Sequence, residues 1–343
     1  MVKKENNMRK FLLASSLLVS ISCFGQGKID SLVQVGIQYH DKGEYAKAIK
    51  VYNEALKIDP KSTLINYELA MTYMYSGDYK KSIEYCDIVI EQDEKHLLHA
   101  YITKGSSLSN LGKTEEAIET YEQAIEKFGN HYLLLYNLAI RYARDNNLEK
   151  AEPLLIEAIN NNSNHASSHN LLAMLKDGQN QRAQSLMGLY YFLLLEPNSQ
   201  RAKTAFELLK KQIGGNVQVN KKNQININID SQHLESEFSA AETMIDMLGA
   251  SKFLKENKKK SEEELFIENT KSFFSVLGEL KETNDGTGLW WDFYVPFFYK
   301  LSKSGYIDVF CYYISLSSNE NATKWLEKNN NKFEGFKRWL KKN

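Results

Sequence analysis

Apolar and small residues recur with a period of about 34 residues over much of the chain. The first block, 29–62, carries them at Leu32, Gly36, Tyr39, Gly43, Tyr45, Ala48, Tyr52, Ala55 and Pro60. Four further blocks repeat most of these places: 63–96, 98–131, 132–165 and 166–199. One additional residue, Leu97, precedes the third block. Because several places recur in five successive blocks, the pattern predicts a repeat array.

This pattern resembles the tetratricopeptide repeat, whose unit is a pair of helices, A and B. In the first block, Gly36 and Ala48 are the small residues that let the two helices approach closely. Tyr52 fills the contact to the next repeat, and Gly43 supplies a turn conformation that other residues adopt at a cost. Pro60 ends helix B. The resemblance implies an all-α protein that begins with a right-handed α-solenoid of five repeats, 29–199.

The fifth block is the least regular, since Phe192 stands where a small residue is expected. A degenerate last repeat is typical of an array that meets a cap or another domain. The segment 200–213 carries Ala202, Ala205, Phe206 and Leu209 at helical spacing and predicts a capping helix.

The segment 214–230 alternates Val and Ile with Asn, Gln and Lys, which predicts a small hairpin or an extended linker. Residues 231–343 are predicted to form a small helical domain rich in aromatic residues, continuous with the array or folded against its end. Ser261 and Glu264 match a capping box and predict the start of a helix. Pro296 cannot continue a helix, so it predicts a break between two helices.

The first 25 residues combine basic residues, the apolar run 11–21 and small residues after it, which predicts a secretory signal peptide over 1–25. The run is shorter than the ~20 apolar residues that a membrane-spanning helix needs. Ser20 to Cys23 resembles the box at which bacterial lipoproteins are lipid-modified, so Cys23 is a candidate lipidation site. The expected location is the periplasm or cell envelope, and contact with a membrane is expected only through the signal peptide or this anchor.

The composition favours two packed domains, because 343 residues with 43% hydrophobic and 25% charged residues exclude disordered, collagen-like and multi-span membrane proteins. The 43 Lys and Arg balance 43 Asp and Glu, which removes any whole-molecule electrostatic argument for nucleic acid. Cys86 and Cys311 lie in apolar helical patterns, as free buried cysteines commonly do.

Candidate chemistry is sparse. The pairs His165 with His169 and His96 with His99 have spacings that can place two metal ligands on one helix face. No acidic residue or cysteine at a recognised spacing completes either site, and no phosphate loop or hydrolase motif occurs in the sequence. We therefore predict no metal site, no cofactor and no enzymatic activity.

A binding role is better supported, because helix A lines the concave surface in the repeats that this chain resembles. The inward-facing places hold the candidate groove residues Tyr67, Met71, Met74, Tyr75, Ile102, Ser106, Tyr136, Asn137, Ile140, Asn170 and Met174. The Lys, Arg and Asn clamp with which some family members bind a C-terminal carboxylate is largely missing here. These residue types predict an apolar, adaptable groove for a peptide or helix. Alternatively, the C-terminal helices of the chain cover these side chains.

Trp290 and Trp291 are adjacent, and neighbours on an α-helix point about 100° apart. One of the two is therefore expected to be exposed, where it could stack on a sugar ring or enter a partner.

The sequence as a whole predicts a non-catalytic protein–protein interaction scaffold of the bacterial envelope. The alternative is a glycan-binding envelope protein that uses the C-terminal domain, with the repeats as a docking arm.

Overall fold

The computed structural model of the protein describes residues 27–92, 95–214, 217–219, 225–227 and 237–343. The predicted signal peptide and Cys23 lie outside these residues. The chain forms two compact units, of which the first ends at Asp145 and the second begins at Asn146. The fourth predicted repeat therefore contributes one helix to each unit. Within the described ranges, no helix is both long and apolar enough to cross a bilayer.

The first unit is an α-solenoid. Its described helices are α1 27–41, α2 Tyr45–Leu56, α3 Thr63–Ser76, α4 Tyr79–Gln92, α5 Leu97–Asn110, α6 Thr114–Phe128 and α7 Tyr132–Arg144. Consecutive helices from α2 to α7 pack together, and α5 also contacts both α3 and α7. Ile29 and Val33 of α1 share a core with Ala48 and Tyr52 of α2. The helical solenoid that the period predicts is confirmed.

The turn between the two helices of each repeat has a left-handed backbone at the equivalent residue in all five repeats. Gly43, Gly77 and Gly112 have φ angles of 74°, 86° and 78° in the first three repeats. Asn146 and Asn180 take the same place in the last two, with φ angles of 56° and 59°. This region crowds a Cβ atom, and asparagine is one of the few other residues that visit it readily. The turn role predicted for Gly43 is therefore confirmed.

A close approach of helix A to helix B occurs where a glycine faces a tyrosine ring. A Cβ atom added at Gly105 would lie 2.6 Å from the Tyr121 ring, and one added at Gly36 would collide with the ring of Tyr52. Both tyrosines are buried. The glycines are therefore required by packing, although glycine inside a helix costs about 0.5–1 kcal/mol relative to alanine.

We predict that Gly105→Ala lowers the free energy of unfolding by about 1–3 kcal/mol, because overpacking outweighs the gain in helix propensity. Adding Tyr121→Leu to this variant should recover part of the loss, since it removes the ring that the new methyl group meets. Gly178→Ala is the matched control, because no atom lies within 4 Å of a Cβ atom added there. Urea denaturation followed by circular dichroism measures all three, and equal stability of Gly105→Ala and the wild type would contradict the packing argument.

The second unit contains the last helix of the fourth repeat, the fifth repeat and the C-terminal helices. Its described helices are α8 Leu148–Asn161, α9 Ala166–Gly178, α10 Arg182–Leu195, α11 Gln200–Gly214, α12 Ser239–Ser251, α13 Glu262–Thr283, α14 Val295–Lys303, α15 Ile307–Ile314, α16 Ala322–Lys328 and α17 Asn330–Leu340. Strands β1 Val217–Val219 and β2 Ile225–Ile227 pair antiparallel, with Gln218 opposite Asn226. The predicted capping box at Ser261 and Glu264 is present at the start of α13.

Helix α10 is the centre of the second unit. Every residue from Arg182 to Leu194 is buried, because α9, α11, α12 and α15 all contact this helix. The Tyr190 ring lies among the rings of Phe273, Phe274 and Phe310, and its hydroxyl is 2.9 Å from the Thr270 hydroxyl. Phe192 is fully buried on this helix, and the Arg201 guanidinium of α11 lies over its ring at 5.2 Å.

His169 of α9 is buried in the same unit and bonded at both ring nitrogens. Nε2 lies 2.9 Å from the carbonyl oxygen of Ser163, which can only accept, so Nε2 carries the hydrogen. Nδ1 then accepts from the Tyr294 hydroxyl at 2.5 Å. Burial lowers the pKa of His169 to about 4. These bonds are structural and leave neither nitrogen for a metal.

We predict that His169 makes the protein less stable as the pH falls from about 6.5 to 4. The unfolded chain takes up a proton near pH 6.5, whereas the folded chain does not until the pH reaches the lowered pKa. The full effect of this shift is about 3 kcal/mol.

Urea denaturation at several pH values measures this dependence. His169→Gln should be less stable at pH 7 and should show a flatter decline towards pH 4. The control, His99→Gln, replaces a histidine that is not buried and should keep the decline of the wild type. A wild-type slope in the His169 variant would show that another group causes the acid sensitivity.

Candidate binding groove

Nine of the candidate residues lie on helices α3, α5 and α7 of the first unit, at the inward-facing places of the repeats. They are Tyr67, Met71, Met74 and Tyr75 on α3, Ile102 and Ser106 on α5, and Tyr136, Asn137 and Ile140 on α7. We call this surface the groove. Because α5 contacts both α3 and α7, the residues form one continuous row across three helices. One hydrogen bond joins two of these helices directly, from the Thr103 hydroxyl of α5 to the Met71 sulfur at 3.5 Å.

The groove side chains are partly open to solvent. Tyr75 is 55% exposed, and the other eight are neither fully buried nor fully exposed. Core residues of the same helices, such as Leu69, Ala70 and Ala139, are fully buried. Tyr, Met and Ile on one partly open surface can bury further apolar area against a partner.

Two polar side chains of the groove, Ser106 and Asn137, form hydrogen bonds within the unit. The Ser106 hydroxyl is 3.0 Å from the Tyr121 hydroxyl, and the Asn137 amide donates to the Leu133 carbonyl oxygen at 2.7 Å. At the edge of the surface, the Arg144 guanidinium donates to the Asn110 side chain at 3.3 Å. These bonds support the chain itself, so the side chains that face outward are mainly apolar and aromatic.

Tyr67 lies at an edge of α3 beside two histidines. Its ring stacks on His96 at 5.3 Å between centroids and meets the His99 ring edge-on at 6.0 Å. Burial and the neighbouring Glu68 raise the pKa of Tyr67 to about 12, so its phenol is neutral at ordinary pH. In the part of the chain that the structure describes, no three histidine, cysteine or acidic side chains are grouped so that they could hold a metal ion.

Asn170 and Met174 lie on α9 in the second unit. Met174 is 47% exposed, and Asn170 is half-buried. The neighbouring His169 contacts Phe293 and Tyr294, so C-terminal residues do pack against the fifth repeat. They leave Met174 open.

The expectation of an exposed tryptophan is wrong. Trp290 is 7% exposed and Trp291 is 1% exposed. Trp291 stacks on Phe238 at 4.5 Å, and its indole N–H donates to Glu237 at 2.7 Å. Trp290 stacks on Tyr294 at 5.2 Å. The segment Leu289–Tyr294 is a π-helical turn and not part of an α-helix, and both sides of it are covered. Neither ring is available to a sugar.

The sequence analysis places Tyr75 in the groove but misses the two rings that contact it. His40 lies near the end of α1, Tyr45 begins α2, and both contact Tyr75 of α3. His40 occupies an inward-facing place of the first repeat. The candidate groove residues were taken from the second to the fifth repeats, and including the first repeat identifies His40. Tyr45 occupies no such place, and only the packing of α2 brings it to this cluster.

Comparisons with known proteins agree with this architecture. Models described as TPR repeat or tetratricopeptide repeat match residues 36–77, 62–130 and 111–175. Over 108 residues the chain is 35% identical to a TPR repeat-containing protein of Methanocaldococcus jannaschii, covering 32% of this chain and 19% of that protein. Over 74 residues it is 32% identical to trafficking protein particle complex subunit 12 of Mus musculus, covering 22% of this chain and 9% of that protein. The chain therefore matches a fifth or less of the length of these relatives.

Among solved structures, the chain is similar to a thermophilic TPR protein from Thermus thermophilus. The TM-score is 0.48 at 19% sequence identity, and the match covers 53% of this chain and 98% of the other. The three family matches overlap and span residues 36–175 without a gap, and the described helices follow the same repeat. Residues 36–175 of this chain are therefore tetratricopeptide repeats.

Proposed function

We propose that the protein is a non-catalytic interaction scaffold whose groove binds an apolar peptide or an amphipathic helix of another protein. The observation that carries this proposal is the continuous row of partly open Tyr, Met and Ile side chains on α3, α5 and α7. Apolar helices dock into such grooves through side chains that repeat every three or four residues. Methionine adapts its shape to different partners, which suits a surface of this kind.

The chemistry of the groove favours binding over catalysis. The Ser106 hydroxyl and the Asn137 amide of the groove are bonded within the unit. Both described cysteines are buried, and burial raises the pKa of Cys86 to about 12 and that of Cys311 further. A thiol that stays protonated is a weak nucleophile. The TPR repeat itself is generally a non-enzymatic interaction scaffold.

We predict that the double change Tyr136→Ala with Met71→Ala weakens capture of the partner at least tenfold. Burying one such side chain contributes about 1.5–3 kcal/mol, and each 1.4 kcal/mol is a factor of ten in affinity. The measurement is a pull-down from envelope extract with the mature protein, followed by titration of the captured partner. Circular dichroism should show unchanged helix content.

The matched control is Ile58→Ala with Ile88→Ala, which removes two exposed apolar side chains outside the groove. This control should bind like the wild type. An interaction that ignores the groove double change but disappears when Lys258, Lys259 and Lys260 become glutamine would place the binding surface in the second unit. That result would contradict the proposal.

We further propose that the protein is exported and acts in the periplasm or cell envelope. The support is the sequence of residues 1–25, with its basic start, short apolar run and small residues before the first described helix. If cleavage instead precedes Cys23, that residue is the candidate lipid attachment site, which would hold the protein at a membrane surface without a spanning helix.

Cell fractionation with N-terminal sequencing tests this location. We expect a shortened protein in the envelope fraction. Cleavage before Gln26 gives a product without labelled fatty acid, whereas lipidation gives labelled fatty acid on the wild type and none on Cys23→Ser. A full-length protein in the cytoplasm would contradict export. A shortened protein that takes up no label would contradict lipidation alone.

A further inference from the structure

Three aromatic rings cluster at the end of the groove nearest the first repeat. The rings of Tyr45 and Tyr75 are nearly parallel, with an interplanar angle of 22° and centroids 6.3 Å apart. The His40 ring stands across both, at 66° and 5.4 Å to Tyr45 and at 88° and 5.2 Å to Tyr75. Tyr75 is 55% exposed, and the other two rings are partly exposed. We call these three rings the cage.

Hydrogen bonds hold the His40 ring in one tautomer. The Thr72 hydroxyl donates its only hydrogen to the Glu68 carbonyl oxygen at 2.7 Å. Its oxygen must therefore accept at 2.9 Å from Nδ1 of His40, which places the ring hydrogen on Nδ1. Nε2 is then a hydrogen-bond acceptor. Burial lowers the pKa of His40, so the ring is neutral near pH 7.

Two carboxylates give this end of the groove a negative charge. Asp41 follows His40 directly, and Glu68 lies on α3 one turn before Thr72. The two are near enough that the charge of Asp41 adds to burial in raising the pKa of Glu68. Across the described residues, neither carboxylate forms an ion pair with a lysine or an arginine. The neighbouring Lys47 is paired with Glu44.

We propose that the cage of His40, Tyr45 and Tyr75 takes a lysine or arginine side chain of the peptide that occupies the groove. This inference rests on the proposed function of the groove. Tyrosine faces attract a cation, the neutral histidine offers a lone pair to an N–H group, and Asp41 and Glu68 supply complementary charge. The partner is therefore an apolar peptide or helix with a cationic residue that reaches the first repeat.

The test uses the whole mature protein with histidine and tyrosine rings labelled for NMR. The probes are the N-acetyl methylamides of arginine, lysine and norleucine, the last of which keeps the apolar chain of lysine without its charge. We expect saturable shifts of the His40 and Tyr75 signals with arginine and lysine, and at least threefold weaker binding of norleucine. Equal binding of the three probes would overturn the cage.

The variant Tyr75→Leu should weaken binding of the cationic probes about threefold to tenfold, because it removes one π face and keeps an apolar side chain. Tyr75→Phe is the matched control and should bind like the wild type. Asp41→Asn should weaken the cationic probes and leave norleucine unchanged. Wild-type probe affinity in Tyr75→Leu would also overturn the proposal.

Partner capture separates this inference from the proposed function. If Tyr75→Leu lowers both probe affinity and partner capture, the cage serves the groove peptide. If Tyr136→Ala with Met71→Ala abolishes capture while Tyr75→Leu binds the partner like the wild type, the groove function stands and the cage assignment is wrong. If neither change affects capture, both proposals fail.

Discussion

The repeats depend on how closely helix A can approach helix B. In the first and third repeats the close approach requires glycine, because Gly36 and Gly105 each face a tyrosine ring. The equivalent places hold Ala70 with Cys86 in the second repeat and Ala173 with Leu189 in the fifth, and all four residues are fully buried. Where alanine replaces glycine on helix A, a side chain smaller than tyrosine therefore stands at the facing place on helix B. The volumes of the two facing side chains are therefore complementary in each of these repeats. Closely packed protein interiors tolerate neither large gaps nor overlapping side chains.

The fifth repeat shows what happens when a repeat unit also becomes the core of a neighbouring domain. Helix α10 is buried on all sides, and its first residue, Arg182, lies in a buried cluster with Glu242 and Asp246 of α12. The Arg182 guanidinium donates to Asp246 at 2.7 Å, and the backbone N–H of Ala183 donates to Glu242 at 2.7 Å.

Buried charges of this kind add little net stability, but removing one partner costs about 3–5 kcal/mol because the other charge is left uncompensated. They therefore fix how α12 sits on the start of α10. The aromatic residues of the C-terminal helices then pack around Tyr190 further along the same helix. These aromatic side chains form the core of this unit, and Trp290 and Trp291 are covered within it.

The first unit keeps its inner face partly open. Apolar and aromatic side chains are partly open to solvent there, while the Ser106 hydroxyl and the Asn137 amide between them are bonded within the unit. In the proposed binding role, such a surface would discriminate partners mainly by shape, and Asp41 and Glu68 would add charge beside the rings of the first two repeats. Recognition of one cationic residue at that end would give an otherwise apolar groove a direction along the bound peptide.

Local and periodic features could be predicted from the sequence alone. The 29–62 period, the left-handed turn at Gly43 and the capping box at Ser261 each depend on residues within one repeat or one helical turn. The positions of the groove residues on α3, α5 and α7 could also be predicted, because a fixed repeat register assigns each residue to one face of its helix.

The burial of Trp290 and Trp291 could not be predicted, since a π-helical turn changes the directions in which neighbouring side chains point. Contacts between residues far apart in the sequence could not be predicted either. Examples are His169 with Tyr294 and His40 with Tyr75. Only tertiary packing brings such residues together, because sequence periodicity carries no information on which side chains meet across non-equivalent helices.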